Sequence, residues 1–356
     1  MRCIRLPEPT EMSAAISRRG VRARLIGLFS RAMLLLGCLV VAQSAWAVRC
    51  VTSDGVDRFV QPIGSVQTYP INAPDGYVIW ISPTRTTTGY CYKDLGGESL
   101  TFDDPISFYA NPNGESPLAW GLEIGIRYRG VDYFGAGNQP GTGVPTGIVV
   151  PPCSRRDFNK LGGCPRIPVS ITYQVVIRKA GTWVGIPQDS YAAFQFDGVK
   201  GINARNTSFR YTLSGMQNLK PSPCVVDVTV TPEPGLVDFG KVKATPTGFS
   251  PETPTQPFSL ALDKRQCDTP VKIQGYFDTP NPVQGNVVLP SADSGFGVEI
   301  LDRNGRQVPL REPFDLANFS ATQARIDVPM SAVLRSLGTP KIGPFTVTAT
   351  VQILYD

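Results

Sequence analysis

The chain has 356 residues, with 34 basic and 29 acidic side chains and no histidine. Without imidazole, Ser/His/Asp and Cys/His nucleophilic systems and histidine-ligated metal sites are excluded, and no sequence motif implies a metal or cofactor. The basic excess sits in the first 47 residues, where Arg2, Arg5, Arg18, Arg19, Arg22, Arg24 and Arg31 face only Glu8 and Glu11; setting that segment aside turns 34 and 29 into 27 of each. A formally neutral remainder gives nucleic-acid binding no support.

That first segment reads as an export signal. Its arginines precede an apolar run over 32–42, and Ala45-Trp46-Ala47 supplies a small-x-small cleavage site, so residues 1–47 are expected to be removed after Ala47. The run is too short to cross a bilayer as a helix. Cys3 and Cys38 leave with it, and Cys50, Cys91, Cys153, Cys164, Cys224 and Cys267 remain. An even count in an exported protein points to disulfides, although six cysteines allow fifteen pairings. Sequence order favours Cys50 with Cys91, Cys153 with Cys164 and Cys224 with Cys267, because each pair then stays within one module.

The remainder is read as two modules, residues 48–217 and 224–356, joined by a linker at 218–223. The stretch SGMQNLKPSP at 214–223 is polar and proline-flanked, which makes it the boundary. In the first module, short strands are expected at 77–82, 121–129, 167–178 and 209–213, separated by turn signals such as Asn113-Gly114. Residues 134–150, FGAGNQPGTGVPTGIVV, are rich in glycine and punctuated by proline and read as a long loop or irregular edge. In the second module, strands are expected at 224–230, 258–267, 271–277, 297–302 and 326–334. Helical periodicity is scarce, and the spacing fits all-β architecture with two β-sandwich domains, the second of the immunoglobulin type.

The last fourteen residues, GPFTVTATVQILYD, carry the strongest pattern. Phe345, Val347, Ala349, Val351, Ile353 and Tyr355 alternate with mostly polar neighbours, which predicts one strand with one apolar face. No hairpin partner follows it, so its outer edge is expected to be met by something else.

These residues bring the second module to a family. Cys224 opens its first strand, Val237-Asp238-Phe239-Gly240 follows, Cys267 ends the next strand, and Gly295 to Gly305 read G-x-G-V-x-I-x-D-x-x-G. With Gly343 fourteenth from the end and Tyr355 penultimate, the module resembles the pilin domain of chaperone/usher fimbriae. The resemblance implies an incomplete immunoglobulin-like pilin domain lacking its last strand. Gly343, Phe345, Val347, Ala349, Val351, Ile353 and Tyr355 would then meet a periplasmic chaperone and later a strand donated by an adjacent pilin subunit. A whole module ahead of the pilin domain, with no donor extension, resembles a two-domain tip adhesin, exported through the periplasm and an outer-membrane usher to the fimbrial tip on the cell surface.

By the same resemblance the first module binds a host glycan or matrix receptor. Sugar sites pair an aromatic platform with polar side chains, so Trp80, Trp120, Tyr133, Phe134 and Trp183 are platform candidates and Asp132, Asn138, Gln139, Asp189 and Asp197 polar ones. Asp132, Tyr133, Phe134, Asn138 and Gln139 combine both kinds in DYFGAGNQ and come first, although Trp80 within YVIWI reads as core. A second candidate is the loop closed by Cys153 and Cys164, where Arg155, Arg156 and Lys160, with Arg166 just outside, suit sulfate or carboxylate ligands. A non-adhesive structural adaptor or tip subunit is the alternative. A secreted glycoside hydrolase using Asp103 and Asp104 is a remote one, since neighbours along a strand point to opposite faces; the chain is expected not to be an enzyme.

Overall fold

The computed structural model describes residues 48–356 except 65, 95, 97, 136–140, 161–162, 203–204, 206 and 251. The export signal therefore lies outside the described residues. In chain order the first strands are β1 (Val48–Thr52), β2 (Arg58–Pro62), β3 (Gln67–Pro70), β4 (Val78–Ile81), β5 (Arg85–Lys93), β6 (Asp104–Ala110), β7 (Leu122–Tyr128), β8 (Val131–Tyr133) and β9 (Val144–Val150). A one-turn helix α1 (Arg155–Phe158) precedes β10 (Ile167–Lys179), β11 (Ser190–Asp197), β12 (Arg210–Ser214) and β13 (Leu219–Ser222).

One sheet runs β1-β5-β10-β7-β8, with β4 also pairing β10, and the other runs β2-β12-β11-β6-β9. Inward residues of the two sheets meet: Tyr173 of β10 packs edge-on against Phe194 of β11, ring centroids 4.9 Å apart, and Tyr128 of β7 lies 5.1 Å from Phe108 of β6. The result is one closed core in which Phe108, Val175, Phe194, Phe209, Tyr211 and Leu213 are wholly buried. Aromatic and β-branched residues at alternate positions produce this layer because each presents one face to the facing sheet.

Residues 134–150, expected to be a long loop or irregular edge, end in β9, an edge strand that pairs antiparallel with β6 with a register shift between Pro105 and Ser107. Val144, Ile148, Val149 and Val150 supply the β-branched side chains, and the glycines that obscured them serve close approach. A Cβ on Gly143 would fall 2.7 Å from Ser107 and 2.8 Å from the Tyr109 ring. The stretch read as a linker is also structured, with a 3₁₀ turn at Met216–Asn218 followed by β13, which pairs parallel with β3.

The remaining strands are β14 (Val225–Thr231), β15 (Lys243–Thr245), β16 (Gly248–Ser250), β17 (Thr255–Arg265), β18 (Val271–Asp278), β19 (Val283–Gln284), β20 (Val287–Val288), β21 (Phe296–Asp302), β22 (Phe314–Phe319), β23 (Arg325–Ser336) and β24 (Thr350–Tyr355). They form a sheet β14-β17-β23-β21-β20-β19, a facing sheet β22-β18-β24 and a small β15-β16 ribbon. Three disulfides, Cys50–Cys91, Cys153–Cys164 and Cys224–Cys267, staple the fold in the pairing that sequence order favours.

Candidate functional site

The second sandwich has two free edges that face one another. Among the described residues β14 pairs only with β17, and β24 only with β18. The two edges are tied at one end, where the Val226 amide donates to the Tyr355 hydroxyl at 2.6 Å. Between them the core is only partly covered. Val228, Val230, Phe258, Leu316, Val328, Val347 and Val351 all pack onto Leu260, Phe277 and Met330, yet each is half-buried rather than buried.

The terminal segment lines this opening. Phe345 lies 5.0 Å from Phe296, edge to face, and Val347 bridges two apolar clusters. Val351, Ile353 and Tyr355 turn to the same core, while Gly343 and Ala349 are exposed. The expected strand over 343–356 is thus shorter in ladder terms, since β24 begins at Thr350. Residues 343–349 keep the alternation without a ladder, held by Thr279, whose hydroxyl donates to the Thr348 carbonyl at 2.5 Å, and by Asn281, which accepts from the Thr348 amide at 2.9 Å.

The opposite face of β24 meets the first sandwich, a contact that alternation gave no reason to expect. Leu354 is buried with Ile81, Val176 and Tyr276, flanked by Phe134. The Tyr77 hydroxyl donates to the Ile353 carbonyl at 3.2 Å, and Gln67 donates to Asp356 at 2.7 Å. A polar bridge lies alongside. Arg127 of β7 donates to the Tyr276 hydroxyl and to both oxygens of Asp132, at 2.5 and 2.8 Å. Burial opposes the charge on Arg127, but hydrogen bonding to Asp132 and the nearby acidic groups outweigh it and hold its pKa raised.

This geometry relocates the first receptor candidates. Asp132 is engaged by Arg127, and Phe134 lies under the Arg178 guanidinium, 3.6 Å from ring centroid to carbon, on the cluster that buries Leu354. A Cβ on Gly125 would strike the Phe134 ring at 2.6 Å, so the glycine makes room for it. Tyr133 pairs with Ile126 and packs on the first core. All three therefore stand at or near the junction of the two sandwiches; Asn138 and Gln139 lie outside the described residues.

Arg155 and Arg156 are brought together on α1 and point to solvent. Ser154 caps the helix by accepting from the Asp157 amide, Lys160 pairs with Asp157 at 2.5 Å, and Phe158 packs with Leu100 on the Cys153–Cys164 bridge. Arg166 stacks over Tyr92. Trp80 and Trp120 are core, at 7% and 8% exposure, whereas Trp183 is half-buried. Asp189 accepts from the Gly215 amide, and Asp197 is buried beside Gln195. Asp103 and Asp104 do not converge: Asp103 is exposed, and Asp104 is buried in a 3.0 Å ion pair with Lys93.

Residues 208–356, which take in the second sandwich, match the family model described as Fimbrial protein. Among solved structures the chain is similar to the P pilus rod subunit PapA, at 15% identity over 38% of this chain and 92% of that one, with a TM-score of 0.28. It is also similar to the CupB6 tip adhesin from Pseudomonas aeruginosa, at 14% identity over 87% and 97% of the two chains and a TM-score of 0.27. A third is the CsuC-CsuE chaperone-tip adhesion subunit pre-assembly complex of Acinetobacter baumannii, at 12% identity over 86% and 99%, with a TM-score of 0.25.

Proposed function

We propose that this protein is a two-domain fimbrial tip adhesin. Residues 224–356 form a pilin domain that receives a strand, first from a periplasmic chaperone and then, after passage through the outer-membrane usher, from an adjacent pilin subunit. Residues 48–217 form the receptor domain for a host-surface glycan or matrix protein. The observation that carries the reading is the opening between the free edges of β14 and β24, floored by half-buried core residues. An extended peptide laid there would pair with strand edges through its backbone and fill the row from Val230 to Val351 with alternate side chains, the mode for which pilins are the established example.

The test is assembly. The full mature chain, exported without a chaperone, is expected to aggregate or be degraded, and a synthetic donor-strand peptide is expected to rescue it. Soluble chain that unfolds cooperatively with neither partner present would refute the reading.

For the receptor, Arg155 and Arg156 are among the sequence-derived candidates that face solvent. Their replacement by alanine is expected to lower adhesion to sulfated glycan surfaces, and unchanged adhesion removes that loop from consideration. The non-adhesive adaptor is a second reading, favoured by the engagement of Asp132 and Phe134 at the junction. Binding of the full chain to none of a broad panel of glycans and matrix proteins would decide for it.

A further inference from the structure

The first sandwich carries a cavity that takes in only Trp183 of the candidates above. It has a volume of about 480 Å³ and is lined by Trp183, Ile186, Gln217, Leu219, Lys220 and Pro221. Small-molecule sites span roughly 300–1,000 Å³, so there is room for one or two sugar rings. Ile186 and Leu219 are buried and make an apolar floor, Trp183 is half-buried, and Gln217 and Lys220 are exposed.

Its walls are fixed before any ligand arrives. The Trp183 ring stands edge-on to Tyr69, centroids 6.1 Å apart and planes at 75°. The loop bearing Trp183 sits so close to Gly121, in the left-handed region at φ +82°, that a Cβ there would come within 2.5 Å of the Thr182 carbonyl oxygen. Leu219 and Lys220 are set by the parallel register that pairs them with Gln67 and Thr68. Behind Trp183, the wholly buried Tyr69 hydroxyl has no hydrogen-bond partner among the described residues.

The chemistry of the lining selects a ligand class. The accessible part of the half-buried Trp183 indole is a platform for the C–H face of a pyranose, and the Gln217 carboxamide both donates and accepts, as sugar hydroxyls require. Lys220 contributes donors and a positive charge only. None of the six lining residues is acidic, so the cavity presents one cation with no competing carboxylate. We propose that this cavity binds a carboxylate-bearing pyranose, of sialic- or uronic-acid type, with Trp183 as platform, Gln217 on the hydroxyls and Lys220 on the carboxylate. The proposal rests on the receptor-binding reading of the first sandwich.

Sialyllactose and lactose are matched probes, differing by the carboxylated residue. Trp80 and Trp120 are buried, so a sugar-induced change in the indole emission of the full mature chain, held as its donor-peptide complex, reports on Trp183. Sialyllactose is expected to shift that emission and lactose to do so only at higher concentration. By calorimetry, Lys220→Gln should weaken sialyllactose about tenfold, the cost of one charge-assisted hydrogen bond, and leave lactose unchanged. Trp183→Phe should weaken both. No emission change with sialyllactose, or equal weakening of both sugars by Lys220→Gln, overturns the proposal. If the chain adheres to other glycans or matrix proteins while its emission ignores sialyllactose, this cavity alone fails; if it adheres to nothing, the receptor reading fails with it.

Discussion

The Tyr77 hydroxyl, on the first sandwich, hydrogen-bonds the carbonyl of Ile353, a residue whose own side chain faces the core of the second. One strand therefore has its side chains divided between two jobs. Val351 lines the opening, Ile353 and Tyr355 face the core at its closed end, and Leu354 is buried against Ile81 and Val176 across the junction. Tyr77→Phe removes only the donor and leaves a carbonyl to find water. A loss of ~1 kcal/mol is expected, read as a lower midpoint in denaturant unfolding of the donor-peptide complex. An unchanged midpoint would mean that the bond contributes nothing.

The two faces of β24 should respond differently to charge. Val351 is half-buried over Phe277, whereas Thr350 is exposed. Val351→Asp places a carboxylate on an apolar floor and should cost ~2–4 kcal/mol. It should also prevent rescue by a donor peptide, because alternate positions share the face that the peptide must cover. Thr350→Lys should be within ~0.5 kcal/mol of the parent. Equal peptide-rescued yields of soluble protein from the two variants would count against the assignment of faces.

Asp132 separates a packing role from a receptor role. Its carboxylate is bidentate on an Arg127 whose side chain is 8% exposed. Asp132→Asn leaves that guanidinium with a weaker acceptor, and a loss of ~1–3 kcal/mol is expected. Adhesion per folded molecule should not change. Normal stability with lost adhesion would return Asp132 to the receptor site.

The contrast between Asp132 and Val351 shows what a sequence can carry. Alternation in 343–356 picks out Phe345, Val347, Val351, Ile353 and Tyr355, which pack on the apolar clusters, while Gly343 and Ala349 on the same face are exposed. It did not report pairing, so the ladder begins only at Thr350. Nor did it mark Leu354, since a contact between two sandwiches recruits single residues from the outward face and leaves no period. DYFGAGNQ looked like a sugar site for the same reason. An aromatic beside an aspartate is also what a junction needs when a buried arginine must be neutralised. Trp183 stood in the sequence as one platform among five, and only the fold shows that Trp80 and Trp120 are sealed while Trp183 edges a cavity.

Alkaline pH should unfold the protein over a defined window. Burial pushes the phenols of Tyr69, Tyr211, Tyr276 and Tyr355 each up to about 12, against an ordinary value near 10. A raised folded-state pKa means that the native state keeps a proton that the unfolded chain has lost. Below pH ~10 both states hold it, and the stability contribution is intact. Between pH ~10 and ~12 each such tyrosine costs ~1.4 kcal/mol of stability per pH unit, and above that the contribution is gone. Several tyrosines acting together make the loss steep. Near-ultraviolet circular dichroism and phenolate absorbance of the donor-peptide complex should therefore change together in this window. Tyr355→Phe should make the pH dependence shallower, while lowering stability at neutral pH by ~1–3 kcal/mol because the Val226 amide loses its acceptor. A native signal that persists beyond pH 12, or phenolate appearing well before the fold is lost, would show that these hydroxyls are not held neutral by the packing around them.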